Sequence, residues 1–354
     1  MAYTTIDNPE LYFQTKLYTG NEADDHAITL DGSENMQPDL VWIKCRSNTG
    51  WSHNIYDAVR GANKYIRSSQ TIAEVTATDA LKSFDTDGFT VDDNASNDEV
   101  NDNAKTYVAW CWKAGTTSGI TTTGANITPS AYSMNATSGI SIIKYEGDGN
   151  DGTNTAHALG AVPHMIIVKR LENSNYWAVY HHKTNEAPDD YLVFNTNAVD
   201  ENAPIWKDTD PTSVYYRTDN STSVNASGED MVAYLFTSIQ GYSKFGSYTG
   251  NGNADGTFVY TGFKPAFIMI KRTDSTGNWV IHDAKRYDHI GDHKRLFANT
   301  DNSETDDWYL DLLSNGFKIR NTEVDENTSG ATYVYAAFAE APFVNSNGVP
   351  CTAR

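Results

Sequence analysis

The chain has 354 residues, with 26 Lys and Arg against 46 Asp and Glu, a formal charge of −20 at neutral pH. That balance, with no basic run, excludes a nucleic-acid coating role, which needs clustered cations to displace counterions, and disfavours an anionic lipid surface. Aromatics at 12% exclude disorder, and the richness in Tyr, Thr, Asn and Gly points to a β protein of two or three domains.

The first twenty residues, MAYTTIDNPELYFQTKLYTG, carry neither a basic nor an apolar leader segment, so no Sec-type signal is expected. No run approaches the length that crosses a membrane, so membrane insertion is not expected either. Cys45, Cys111 and Cys351 are sparse and odd in number, without CxxC spacing. They predict no disulfide framework and a protein made in a reducing cytoplasm.

Along the chain, one unit recurs three times. It opens with YTGN (18–21), YEGD (145–148) and YTGN (248–251). A proline then precedes an apolar run ending in lysine six residues on: Pro38 to Lys44, Pro163 to Lys169, Pro265 to Lys271. A tryptophan follows at Trp51, Trp177 and Trp279, then IYDAVR (55–60), VYHHKT (179–184) and IHDAKR (281–286), and far downstream YVAWCW (107–112), MVAYLF (231–236) and YVYAAF (333–338). DTDGFTV (85–91) matches LSNGFKI (313–319), whereas the middle copy has Ser213-Val214 there. Landmarks in fixed order at near-fixed spacing define an internal repeat.

The apolar segments are short, β-branched and aromatic, bounded by Gly, Asn, Asp and Pro, and so read as strands. The stretch 57–84 invites a helix, but its β-branched residues and internal glycine allow a turn or two at most. The predicted fold is all-β: three tandem related β-sandwich, jelly-roll-like domains at 1–115, 139–245 and 246–345. Residues 116–138 form a Gly/Ser/Thr-rich connector, either linker or extended strand. Tyr242, Phe245 and Tyr248 predict direct packing of the second and third copies, and 346–354 reads as a loose or partner-docked tail.

No catalytic, cofactor or metal residues are assigned, and no ligand-binding face is identified. GxSxG and GxxxxGK[ST] are absent, and glycine clusters sit in Asp/Asn-rich turns rather than before helices. A carboxylate pair for glycoside hydrolysis would come from residues distant in sequence, and none stands out. The repeated tryptophans could stack on sugars but read as core of each unit. The ends Lys44/Arg46, Lys169/Arg170 and Lys271/Arg272 read as points where a buried strand emerges into solvent. The acidic loops EGDGNDG (146–152), TGNGNADG (249–256) and VDDNASNDEVNDN (91–103) have oxygens for calcium, yet their composition is what tight turns require. His181 and His182 have no histidine pair in the first copy, and His289 with His293 lacks the glutamate of HExxH.

FDTDGFTV (84–91), TYVAWCWKAG (106–115), the long run 241–279, DLLSNGFKIR (311–320), GATYVYAAFAEAPF (330–343) and VPCTAR (349–354) together resemble repeat-containing virion structural, tail-fibre-like proteins of marine tailed phages. The resemblance covers essentially the whole chain. It implies concanavalin-like sandwiches and no catalytic residues. It also implies a virion location, with other virion proteins and a host-surface glycan or protein as partners. The expected function is a non-enzymatic tail-fibre or baseplate component contacting the host, with a homotrimer as the assembly such a fibre would form. A capsid decoration or head-fibre protein is the alternative, and a glycan-degrading spike ranks last because three units of about 100 residues are not the short repeats of a β-helix.

Overall fold

The computed structural model describes residues 2–93, 99–184, 187–289, 292–307 and 309–351, with the backbone alone at 288, 289, 292, 293 and 307. The all-β expectation holds. Helix is confined, among the described residues, to the single turns Pro9–Leu11 and Ala284–Arg286. The helix-tempting stretch forms the short strands Lys64–Tyr65 and Val75–Thr76 and leads into Leu81–Asp85.

Each copy builds an antiparallel inner sheet with the same strand order. Its first strand pairs with its last, the last with the proline-led strand, and that with the next. The first copy runs Phe13–Thr19, Thr106–Trp112, Leu40–Cys45, His53–Asp57. The second runs Ile140–Glu146, Asp230–Phe236, Met165–Arg170, Ala178–His181, and the third Ser243–Thr249, Thr332–Pro342, Phe263–Arg272, Trp279–Asp283. Part of the connector, Ala131–Asn135, is a strand on the free edge of the second inner sheet. A small outer sheet lies over each inner one: His26–Ile28 with Gly88–Val91 and Leu81–Asp85, Thr153–Ala156 with Tyr215–Thr218, and Phe258–Tyr260 with Gly316–Ile319 and Leu310–Leu313.

Every residue of Leu40–Cys45 is buried, which requires cover on both faces of the sheet, because successive side chains alternate. Val41, Ile43 and Cys45 pack with Ile28, Leu81 and Phe89 inside the first sandwich. Leu40 and Trp42, on the opposite face, enter a cluster to which all three copies contribute. The other inner sheets divide their side chains the same way. Three sandwich cores thus surround a fourth, common core.

Strand register sorts this common core into layers. One holds the pairs Leu40/Trp112, Met165/Phe236 and Phe267/Phe338. The next holds Trp42/Trp110, Ile167/Tyr234 and Met269/Ala336. Rings meet across copies, with Trp42 and Phe194 at 5.7 Å, Phe236 and Phe338 at 5.8 Å, and Phe13 and Phe338 at 5.5 Å. Such pairs add about 0.5–1.5 kcal/mol each beyond area burial. A wholly apolar void of about 40 Å³ remains between the layers.

The second and third copies pack directly, with Phe245 and Tyr248 inside the strand Ser243–Thr249 and Tyr242 just before it. The tail is pinned by Ser346 to Asp7, and by the Cys351 amide, which donates to the Phe343 carbonyl at 3.1 Å.

Candidate functional site

The most organised chemistry lies where the copies meet. Lys44, Lys169 and Lys271 are fully buried, which corrects the expectation that they mark strands emerging into solvent. Each sits on the common-core face, one layer beyond the aromatics. Each Nζ donates to a carbonyl of its own hairpin: Trp51 at 2.7 Å, Asn175 at 3.0 Å and Gly277 at 2.8 Å. Each also donates to a neighbouring copy: Asp301 at 3.5 Å, Thr71 at 3.0 Å and Ala198 at 2.6 Å. The first copy thus reaches the third, the second the first, and the third the second. These contacts close a ring, the connectivity of a threefold axis within one chain. Burial lowers each lysine to about 8.

Asp57, His181 and Asp283 form another ring. Asp57 accepts from the Tyr234 hydroxyl of the second copy at 2.6 Å, and Asp283 from the Trp110 indole of the first at 3.0 Å. Both carboxylates also pair with a buried arginine of their own copy, Arg60 at 2.5 Å and Arg286 at 2.6 Å. The middle copy has no such pair: His181 meets the backbone carbonyl of Tyr335 at 3.2 Å, beside Ala336. At this position the axial donors Trp110 and Tyr234 each meet a carboxylate, whereas Ala336, opposite His181, brings no donor that would need one. Burial lowers His181 to about 3.

The tryptophan landmark needs a correction in the first copy. Trp279 lies opposite Lys271 in the sheet, and continuing the register puts Trp177 opposite Lys169. The residue opposite Lys44 is His53, not Trp51. Trp177 and Trp279 are buried in the common core rather than in a single unit's core. Their indoles donate to neighbouring copies, Trp177 to Arg67 and Gln70 at 3.2 and 3.1 Å and Trp279 to Val193 at 2.9 Å. His53 makes the corresponding contact with the Phe297 carbonyl at 3.0 Å. Trp51 is half-buried against the first sandwich, with Lys105 over its ring at 5.9 Å.

Beyond the lysine layer the chain turns through the acidic glycine loops. A buried asparagine overlooked in the sequence recurs here: Asn225 and Asn327 pin the loops 146–152 and 249–256, and Asn101, itself within 91–103, pins the turn at 20–25. Each carbonyl oxygen accepts a loop amide, from Asn21 at 3.1 Å, Asp148 at 2.9 Å and Asn251 at 2.9 Å. Each amide nitrogen donates back into its loop, as Asn225 does to Asp148 at 2.9 Å and to the Asn150 carbonyl at 3.0 Å. Their recurrence six residues before Tyr107, Met231 and Tyr333 was the available signal.

Asp148 also accepts from Thr153 at 2.8 Å. Partial burial acts to raise its pKa, but the hydrogen bonds from Asn150, Asn225 and Thr153 outweigh it and hold the carboxylate below its usual range. Asp255 is held low by Lys318 and Arg320. These oxygens are engaged in turn chemistry, and among the described residues no cluster of three His, Cys, Asp or Glu is placed to hold a metal. Residues 94–98 of the third candidate loop, and the side chains of His289 and His293, lie outside the described residues. His181 and His182 both contact backbone carbonyls of the third copy.

A cleft of about 650 Å³ opens between the first and third copies, lined by Phe13, Thr15, Ala266, Lys285 and Leu312 among others.

Three like sheet pairs closed around one axis define the class: an all-β protein built from an internal threefold repeat. The chain belongs to the family described as a domain of unknown function, DUF7483, whose profile matches residues 8–342 and so takes in all three copies. Neither a curated protein nor a solved structure matches it.

Proposed function

We propose that this protein is a non-enzymatic structural component of a virion, on a tail fibre or baseplate, that contacts the host surface through its loop ends. The observation that carries the reading is the repeat of asparagine-pinned acidic loops beyond the lysine layer, held on a frame cross-linked by buried polar rings. Loops on a rigid scaffold suit recognition, and repeated weak contacts gain strength when many copies act together on one particle. The motif resemblance to phage structural proteins supports the same reading. Partners are then other virion proteins and a host glycan or surface protein.

The test is adsorption competition, in which purified protein is mixed with susceptible cells before the phage is added. A dose-dependent fall in adsorption supports host contact, and unchanged adsorption with folded protein at high concentration refutes it. A second reading, capsid decoration or a head fibre, draws on the internal threefold itself, which could seat on a symmetric capsid position. Labelling of intact particles with an antibody to the protein separates head from tail.

A further inference from the structure

The three interfaces between copies differ at one corresponding place. The Gly20 amide donates to the Lys105 carbonyl at 2.8 Å, and the Lys113 amide to the Tyr12 carbonyl at 2.9 Å. These bonds bracket the pairing of Phe13–Thr19 with Thr106–Trp112 and set its phase. Even-numbered residues exchange bonds with that strand, so Phe13, Thr15 and Leu17 direct their N–H and C=O groups outward.

The corresponding groups are engaged along the whole run in the second copy and at Ser243 and Phe245 in the third. In the second, Ile140, Ile142 and Lys144 lie opposite Asn135, Ser133 and Ala131 of the connector strand. In the third, Ser243 bonds with Ile239, the Phe245 amide donates to Ser238 Oγ at 3.1 Å, and its carbonyl takes His182 at 3.0 Å. At the edge of the first copy, Ala284 of the third copy stands where His182 would be, no strand among the described residues covers the edge, and the cleft of about 650 Å³ opens there. Thr15 is 5% exposed, lines this cleft, and its Oγ1 has no hydrogen-bond partner.

We propose that the outer edge of Phe13–Leu17, with the cleft beside it, receives an extended strand from a second protein chain. The second copy supplies the template, since the same edge there is completed by the five residues Ala131–Asn135. A guest of that length spans about 17 Å, the run from Phe13 to Leu17. Main-chain bonds would give affinity and alternate side chains specificity. Phe13, Ala266 and Leu312 in the lining call for small apolar side chains facing in. Lys285, exposed at the rim, calls for an acidic residue. The inference is independent of where the protein sits in a particle.

The experiment displays the full chain with a library of seven-residue segments joined to its N-terminus by a Gly-Ser linker and selects for protease resistance. Enriched segments are expected to alternate polar with small apolar residues, to raise Tm, and to slow amide exchange at Phe13, Thr15 and Leu17 by about tenfold or more. T15P removes one outward N–H without touching the pairing to Thr106–Trp112 and is expected to abolish that protection. Should T15P not fold, K285E is expected to switch the selected charge from acidic to basic. Absence of enriched segments, or protection that falls elsewhere and survives both substitutions, overturns the proposal.

Discussion

Raising the pH from about 7.5 to about 9.5 should strengthen this fold, because three lysines are buried with their pKa values near 8. In the unfolded chain lysine titrates near 10.4, so between these values the folded state binds fewer protons and stability rises with pH. Below about pH 8 both states are protonated and the slope vanishes. Each lysine can contribute up to about 2 kcal/mol across that interval, roughly 6 kcal/mol for three. This is an upper limit, since the carbonyls receiving each ammonium favour its charged form. Cys111 acts the other way. Burial raises its thiol, so the folded state keeps a proton that the unfolded chain loses, offsetting about 1 kcal/mol. Buried tyrosines such as Tyr145, raised by burial, oppose folding only above about pH 10. The assay is urea denaturation at both pH values for the parent chain and for a variant with Lys44, Lys169 and Lys271 all changed to Met. The variant should be less stable at both, because carbonyls such as Thr71 and Asn175 lose their donor at about 1–3 kcal/mol each. What identifies the lysines is the slope: the parent gains stability with pH, while the variant loses that gain and keeps the Cys111 trend. A variant with the parent's slope would refute the reasoning.

Asp283→Ala should cost about 3–5 kcal/mol in denaturation midpoint analysis, since it strands the buried Arg286 and the Trp110 indole. A double-mutant cycle with Trp110→Phe should show coupling of about 0.5–3 kcal/mol. Asn225→Ala should lower stability by about 1–3 kcal/mol by freeing the amide of Asp148 and the carbonyl of Asn150, and melting curves should be unchanged by calcium or a chelator. Phe338→Ala, which enlarges the axial void, should cost about 3–5 kcal/mol. The fragment 139–245 alone should not give a soluble folded monomer, because Trp177, Phe236 and Met165 would face water. A stable monomer by sedimentation would contradict the common core.

The strands and their recurrence were legible because turn-formers and β-branched runs carry local signals, and six landmarks kept their spacing. The fourth core was harder to see. Its one local sign is the lack of alternation in LVWIKC and MIIVKR, where a sheet with one wet face would show polar residues at every second position. The lysines misled for a related reason. A terminal lysine commonly signals solvent, and here the neighbouring copy supplies carbonyls that no local pattern could announce. Trp51 misled by two residues because the hairpin after Lys44 differs in length, and only the pairing with His53 reveals the shift. The rings built on Asp57, His181 and Asp283 depend on which copy faces which, a property of the closed arrangement rather than of any segment.

Bulk on the axis is shared unequally: two tryptophans from the first copy, Ile167 and Tyr234 from the second, Met269 and Ala336 from the third. Three identical chains could not arrive at this distribution, since each change near their axis would appear three times at once and six tryptophans would compete for one space. Joining the copies covalently lifts that restriction. A swelling in one can be answered by a shrinkage in another, and the faces turned outward can diverge one at a time while the centre stays filled. The chain thereby gains a threefold frame with three separately adjustable sides: one presents a strand edge, one completes it with Ala131–Asn135, and one caps it at Ser243 and Phe245.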